Sequence, residues 1–302
     1  GMLRQDNTTY QPPAGAILDG TEFQTKLINY TGKLTYQMTP KDRFIGYVQY
    51  GIKQQPNRLD NANVGLTALH LTAASTVLQD SPSWVGKIEY NRSIGSRSFL
   101  EVRAGEFGYN FGQTSNGAEP RREDIATGEV SGGGRDWQLN RRRKQASGAF
   151  TTFIENRLGG NHQLKVGGEY QHEVGQYLIP AAWGNIVQTF NNGVATHVRL
   201  YAPVDSLNGL NNFGVFVNDS YTRGRLTANL GVRYDSYRAF LPEQERAASR
   251  FDAIGVRVAA VDDVKTFNHV APRLGLVYDL SGNGKTVAKA NYGRYYFNPG
   301  VG

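Results

Sequence analysis

Along much of the chain, apolar and polar residues alternate one by one. The clearest run is Leu226 to Asp235, where Leu226, Ala228, Leu230, Val232 and Tyr234 fall on one face and Thr227, Asn229, Gly231, Arg233 and Asp235 on the other. Leu164 to Gln171 repeats the plan, with Leu164, Val166, Gly168 and Tyr170 against Lys165, Gly167, Glu169 and Gln171. Tyr30 to Met38, Trp84 to Asn91 and Arg273 to Leu280 follow it as well. Successive side chains of an extended strand point to opposite faces, so each run predicts a β-strand with one apolar side. No stretch approaches the roughly 18 uninterrupted apolar residues of a membrane-spanning helix. The nearest candidate, Val64 to Val77, is shorter and contains His70 and several threonines.

Five tight turns punctuate the runs: Thr39-Pro40-Lys41-Asp42, Gly95-Ser96-Arg97, Leu158-Gly159-Gly160-Asn161, Thr222-Arg223-Gly224-Arg225 and Ser281-Gly282-Asn283-Gly284. Gly and Asn supply the positive φ and Pro presets the first turn residue. The turns recur every 56 to 64 residues, so each unit is one hairpin and one return connection. The predicted returns are long, covering 55–82, 109–145, 175–211 and 238–270. A soluble sandwich also alternates, but connections of that length are rare in compact soluble domains. Short turns at one end and long loops at the other are expected of an outer-membrane barrel, facing periplasm and exterior respectively. Arg43 to Gln54 is 12 residues, enough for a tilted strand, which needs about 9–11.

The predicted fold is therefore all-β, an incomplete antiparallel transmembrane β-barrel. Residues 1–302 form one partial barrel domain of about ten strands, with 1–26 as an incoming loop. Ten strands of a larger barrel leave two open edges, so the segment alone is not expected to form a stable pore.

Composition sharpens this picture. The 17 Tyr and 14 Phe are many for a chain whose mean hydropathy is only −0.49. A barrel reconciles the two, because only every second strand residue meets lipid. Tyr234, Tyr237, Tyr292, Tyr295, Tyr296 and Phe297 are predicted towards the long-loop ends, and Trp84 and Tyr221 nearer the turns. That is the layout of aromatic belts at the two interfaces, although ordinary strand aromatics give a similar pattern. The absence of Cys removes disulfide and thiolate–metal chemistry. Part of the net charge of +7 comes from Arg121, Arg122, Arg135 and Arg141 to Lys144, which share one polar stretch. We read that stretch as a solvated basic loop, open to anionic ligands or lipopolysaccharide, and expect no nucleic-acid partner. Gly1-Met2 begins without a basic segment and apolar run, so an export signal is either absent or lies outside this chain, which is read as a fragment.

The final third resembles the TonB-dependent outer-membrane receptor family. The resemblance rests on Phe213-Gly-Val-Phe-Val-Asn-Asp219-Ser-Tyr221, Leu226-Thr-Ala-Asn-Leu-Gly-Val-Arg-Tyr-Asp235, Ala271-Pro-Arg-Leu-Gly-Leu-Val-Tyr-Asp279 and Lys285-Thr-Val-Ala-Lys-Ala-Asn-Tyr-Gly-Arg-Tyr-Tyr296. These match, in order and spacing, the family's two consecutive hairpins, with Leu241-Pro242-Glu243 in the loop between them. Trp84 to Tyr90 and Asn161 to Glu173 fit more loosely. The long Gly-rich loops look most like the Oar-like branch, whose members often carry an N-terminal carboxypeptidase-regulatory-like domain. The resemblance implies a barrel of about 22 strands closed by a plug. It also implies the bacterial outer membrane, TonB as energy-coupling partner, and uptake of an oligosaccharide, siderophore or peptide. No position of this chain matches the plug, the TonB box or the usual aromatic-ended last strand. A passive porin and a structural or adhesive surface barrel remain alternatives.

Ser281-Gly-Asn-Gly-Lys-Thr286 superficially suggests a phosphate-binding loop. That motif needs Gly where Asp279 stands and a helix where a strand is predicted, so the segment is read as a hairpin turn. His70, His162, His172, His197 and His269 show no metal-ligand spacing, and no Gly-x-Ser-x-Gly elbow occurs. Outer-membrane enzymes of the omptin or phospholipase kind assemble catalytic sets across strands, which a sequence does not display. We expect no enzyme, and no catalytic, cofactor or metal residue. Function is expected on the polar inward face, where Arg233, Asp235, Arg273, Asp279, Lys289, Asn291 and Arg294 are the lumen candidates. Charge pairs that merely stiffen the wall are the alternative reading. Trp137, Arg141, Arg142, Arg143 and Trp183 are assigned to exterior loops as ligand candidates. Aromatic faces suit sugar rings and Arg suits carboxylates or phosphates.

Overall fold

The computed structural model of the chain describes residues 2–10, 16–59, 68–180, 185–246, 248, 253–297 and 300–301. Eleven strands form one antiparallel sheet whose spatial order follows the chain. They are β1 (Met2–Tyr10), β2 (Gln24–Gln37), β3 (Asp42–Arg58), β4 (Val77–Ile94), β5 (Ser98–Ser115), β6 (Trp137–Arg157), β7 (Gly160–Ile179), β8 (Val204–Arg223), β9 (Leu226–Leu241), β10 (Val261–Asp279) and β11 (Val287–Gly293). β1 and β11 are the two edges.

The predicted ten strands correspond to β2 to β11. The addition is β1, which lies in the segment read as an incoming loop and pairs with β2 from Met2 opposite Gly32 to Tyr10 opposite Gln24. Polar residues dominate Met2–Tyr10, so it carries no alternation and takes its strand form from its neighbour.

The tight turns lie where predicted, and local chemistry explains them. In the first, the Thr39 hydroxyl accepts the backbone N–H groups of Lys41 and Asp42, each at 3.1 Å. Gly95, Gly159, Gly224 and Gly282 have φ between +55° and +77°, which only Gly adopts without strain. The last turn is organised by Asp279, whose carboxylate accepts the N–H groups of Gly282 and Gly284, each at 2.9 Å.

At the other end the strands run further than predicted. The connections shorten to 59–76, 116–136, 180–203 and 242–260, and β6 reaches 21 residues. A bilayer needs only about 9–11 residues of tilted strand, so these extensions stand above it. Nor are the connections structureless. Short strands from several of them join a second, six-stranded sheet in the order Val194–Leu200, Ile186–Asn191, Arg121–Asp124, Glu129–Ser131, Leu69–His70, Ala16–Ile17. Three of its pairings are parallel and link different connections.

This loop sheet has a small core of its own, with Val77, Val130 and Val187 buried beside Arg121, Glu123 and His70. Arg121 Nε donates to Glu123 Oε1 at 2.6 Å, and Arg121 Nη1 and His70 Nδ1 both reach the Ser75 carbonyl.

The large sheet has two unlike faces. Leu34, Val48, Ile88, Val166, Val217, Leu230, Val232 and Leu274 lie exposed on one face, as a lipid-facing surface must be. Register places Asn218, Gly231 and Arg273 side by side on the other, which is the polar inner face. Some aromatic positions differ from expectation. Trp84 lies mid-strand opposite Tyr50 and Gly108 rather than near a turn. Tyr237 is buried on the inner face, opposite Asn212 and Phe267.

Candidate functional site

The inner face carries one continuous row of paired residues: Glu89, Arg103, Ser147, Glu169, Gly214 and Asp235, from β4 to β9. Period-two strands put these side chains on the same surface, and long side chains next to small ones can reach beyond the adjacent strand. Arg103 pairs with Glu89 at 3.1 Å and with Glu101 at 2.9 Å. Lys165 of β7 reaches back across β6 to Glu101 of β5 at 3.3 Å. Arg233 binds Asp235 at 2.7 Å and also bonds Glu169, two strands away. The second contact depends on Gly214, the residue between them, because a Cβ there would lie 2.4 Å from Arg233 Nη2 and 2.6 Å from Asp235 Oδ1.

Towards the turns, the same face opens into a groove of about 800 Å³ lined by Lys165, Asn218, Asn229, Arg273, Asn291 and Tyr295. The Arg273 guanidinium lies 5.3 Å from the centre of the Tyr295 ring.

The lumen candidates therefore divide. Arg233 and Asp235 belong to the ion-pair row, and Arg273 and Asn291 to the groove. Lys289, opposite Val277, shares their face. Asp279 is on the same side but is taken up by its turn. Arg294 follows the last residue of β11. Strand alternation no longer assigns its face there: its N–H bonds the Pro272 carbonyl at 3.1 Å, and its guanidinium lies 5.0 Å over Tyr296, whose ring stacks at 4.1 Å on His269 of the inner face.

The loop candidates are also relocated. Trp137 and Arg141 to Arg143 lie in β6, not in a loop, and Trp183 lies outside the described residues. Because a strand alternates, the three arginines separate. Arg141 and Arg143 face inward opposite Tyr109 and Phe107, while Arg142 faces outward with its guanidinium 5.6 Å over Trp84. Trp137 donates its indole N–H to Gln113 at 2.8 Å and packs against Phe111 at 4.9 Å and Tyr177 at 6.0 Å. Arg135 lies over Tyr201 at 4.7 Å and Arg143 over Phe107 at 5.6 Å. These groups make an aromatic and cationic rim at the loop end of the inner face. Sequence analysis missed its aromatic half, Phe107, Phe111 and Tyr177. Their positions on the polar parity of extended strands were the available signal.

Above the rim, Asp124 locks two connections together. It accepts the N–H groups of Gly193 at 2.6 Å and Asn192 at 3.1 Å, and those of Ala126 and Thr127 in its own turn. The Gly193 hydrogen bond, more than any other, holds this carboxyl below the ordinary Asp range.

No cluster of metal-ligating side chains occurs among the described residues. His162 is engaged with Asp219 at 2.7 Å, His172 with Asn211 at 2.8 Å, and His70 lies in the loop-sheet core.

No curated protein matches the sequence. Solved structures do. The ferric-catecholate import receptor Fiu from E. coli K12 in its open form aligns with a TM-score of 0.63 at 11% identity, covering 97% of this chain and 49% of that one. FpvA of P. aeruginosa, bound to an iron-loaded pyoverdine, aligns at 0.61 and 13% identity, covering 96% and 37%. The outer-membrane transporter YddB from Escherichia coli aligns at 0.57 and 13%, covering 97% and 43%. The chain thus spans less than half of each of these structures, and at such identity the likeness is one of fold. The sequence itself matches the family described as TonB dependent receptor-like, beta-barrel over residues 4–302, at the level of the family rather than a branch of it. With outward apolar strands, short turns and an inner polar wall, the chain belongs to that family of outer-membrane β-barrels.

Proposed function

We propose that this barrel portion is the wall of a receptor that imports a nutrient across the outer membrane, driven through a plug and TonB. The observation that supports the reading best is the rim of Trp137, Phe111, Tyr177, Arg141 and Arg143 above a polar inner face. Stacking surfaces beside guanidinium groups suit a ligand that combines rings with carboxylate or phosphate oxygens. That description fits a siderophore, an acidic oligosaccharide or a peptide. Fiu is described as a ferric-catecholate import receptor and FpvA is seen in complex with an iron-loaded pyoverdine, which makes such a chelate the first class to try. The inner ion pairs stiffen the wall beside the plug, and the groove around Arg273 and Asn291 gives the plug or the ligand a polar contact.

The test is uptake of labelled ferric siderophores and oligosaccharides by cells expressing the full-length protein, with and without functional TonB. Import should need TonB, and Trp137→Ala with Arg141→Ala should weaken ligand capture about tenfold or more. Uptake that persists without TonB would support a passive porin instead. Absence of any uptake, with intact surface exposure, would support an adhesive or structural barrel.

A further inference from the structure

The outward face carries cations where a lipid-facing surface needs none. Register aligns Lys144 of β6 with His172 of β7, His172 with Asn211 of β8, and Asn211 with Arg238 of β9. All four side chains share the face of Val166, Val217 and Val232, because each is an even number of residues from an outward position of its own strand. Lys144 and Arg238 are exposed, and neither makes an ion pair among the described residues. Arg142, two residues up β6 from Lys144, extends the patch over the Trp84 ring. The nearest acid, Glu106 opposite Lys144, is partly engaged by the Trp84 indole N–H at 3.2 Å.

The height of the patch identifies its environment. Lys144, His172 and Arg238 each stand roughly 13 to 14 residues from the tight turn of their hairpin, just past the ~9–11 residues that cross the hydrocarbon. Immediately below lie the exposed rings of Tyr170, Phe213 and Tyr234, the kind of aromatic girdle that marks an interface. Above the girdle is the headgroup layer of the outer leaflet. The four strands involved place Lys144 and Arg238 roughly 14 Å apart, three strand spacings. Between them Asn211 is fixed by Tyr170 at 3.0 Å and His172 at 2.8 Å, and His172 stacks on Phe240 at 5.4 Å, so the floor is ordered.

We propose that Lys144, Arg238 and Arg142 form a binding site for the phosphate-bearing headgroup of an outer-leaflet glycolipid, with its acyl chains running down over Tyr170 and Phe213. Two separated cations fit a headgroup with two phosphates, and unpaired surface cations at a membrane interface gain from anionic lipid. The site is on the lipid side of the wall, independent of the imported ligand.

The test uses the purified full-length protein in a zwitterionic detergent and follows thermal unfolding. Diphosphorylated lipid A should raise the transition temperature by several degrees. Lipid A stripped of its phosphates, and inorganic phosphate alone, should have little effect. Lys144→Gln with Arg238→Gln should remove most of the shift, whereas Lys144→Arg with Arg238→Lys, and Lys285→Gln in a turn at the other end, should keep it. An equal shift from dephosphorylated lipid would reduce the site to acyl-chain contact and overturn the proposal. So would full retention of the shift in the glutamine variant, or an equal shift from inorganic phosphate. Should the glutamine variant not fold, loss of the shift in wild-type protein on competition by the headgroup disaccharide diphosphate would support the site, and its persistence would count against it.

Discussion

The wall and the loop sheet above it handle charge in opposite ways. In the wall, the Arg233–Glu169–Asp235 group keeps side-chain exposures of 21%, 27% and 10%. In the loop sheet, Arg121 and Glu123 are wholly buried, beside His70 and three valines. A wall with lipid on one side and polar space on the other needs no dry interior. Most of its aliphatic residues face outward and its charges remain partly wetted. The loop sheet has water around it and must make its own core, so the two charges caught in that core, Arg121 and Glu123, are paired with each other. The wall should therefore tolerate charge on one face only, and the loop sheet should fail at single buried groups.

The sharpest way to break this contrast is Glu123→Ala. It removes the carboxylate that accepts from Arg121 Nε at 2.6 Å, and losing one member of a buried pair typically costs about 3–5 kcal/mol. Hydrogen exchange in the full-length protein should show residues 121–131 losing protection while β6 and β7 keep theirs. Glu123→Gln, which retains an acceptor, should lose much less. Loss of protection through the whole wall would mean that the two sheets are not separate units.

A comparison between the two faces of β9 comes next. Val232→Lys puts a charge on the lipid side, which costs about 2–4 kcal/mol near the midplane of a barrel. Asn229→Lys faces the groove of about 800 Å³ and should cost less than about 0.5 kcal/mol. Denaturant unfolding of the full-length protein in lipid vesicles measures both. Similar costs at the two positions would overturn the assignment of inside and outside.

The same contrast explains what was legible in the sequence. Where a strand has lipid on one side, alternation marks it, and Leu226 to Asp235 was read with its faces correct. Above the hydrocarbon both sides meet polar surroundings, so alternation stops. Arg141 to Lys144 are four consecutive cations and were read as a loop, yet they continue β6. The loop sheet was invisible for a different reason. Its parallel pairings join Val187 to Arg121 and Leu69 to Glu129, residues far apart in sequence with no local signal. The candidate site was half visible: Arg233 and Asp235 stood out as charges on a clean strand. Their bridge to Glu169 depends on the bare backbone of Gly214, and no pattern within β9 reveals it.

The smallest expected effect concerns how the loop sheet is held at its edge. Asp124 is only half-buried at the edge of the loop sheet, and its hydrogen bonds to Gly193 and Asn192 link the two connections there. Its carboxyl pKa is lowered on folding, so the stabilisation is present above the ordinary Asp value of about 3.9. It is lost as pH falls through the lowered value, because protonation weakens the acceptor. Native-state hydrogen exchange should therefore show the Asn192 and Gly193 amides well protected at pH 6 and progressively less so as pH falls below the ordinary Asp value of about 3.9, after correction for intrinsic rates. Asp124→Asn should weaken protection at pH 6 and flatten this dependence, leaving Arg121 and Glu123 untouched. If the variant kept the wild-type pH dependence, another group would be setting it, and the clasp between the two connections would have to lie in their pairing at Val187 and Arg121.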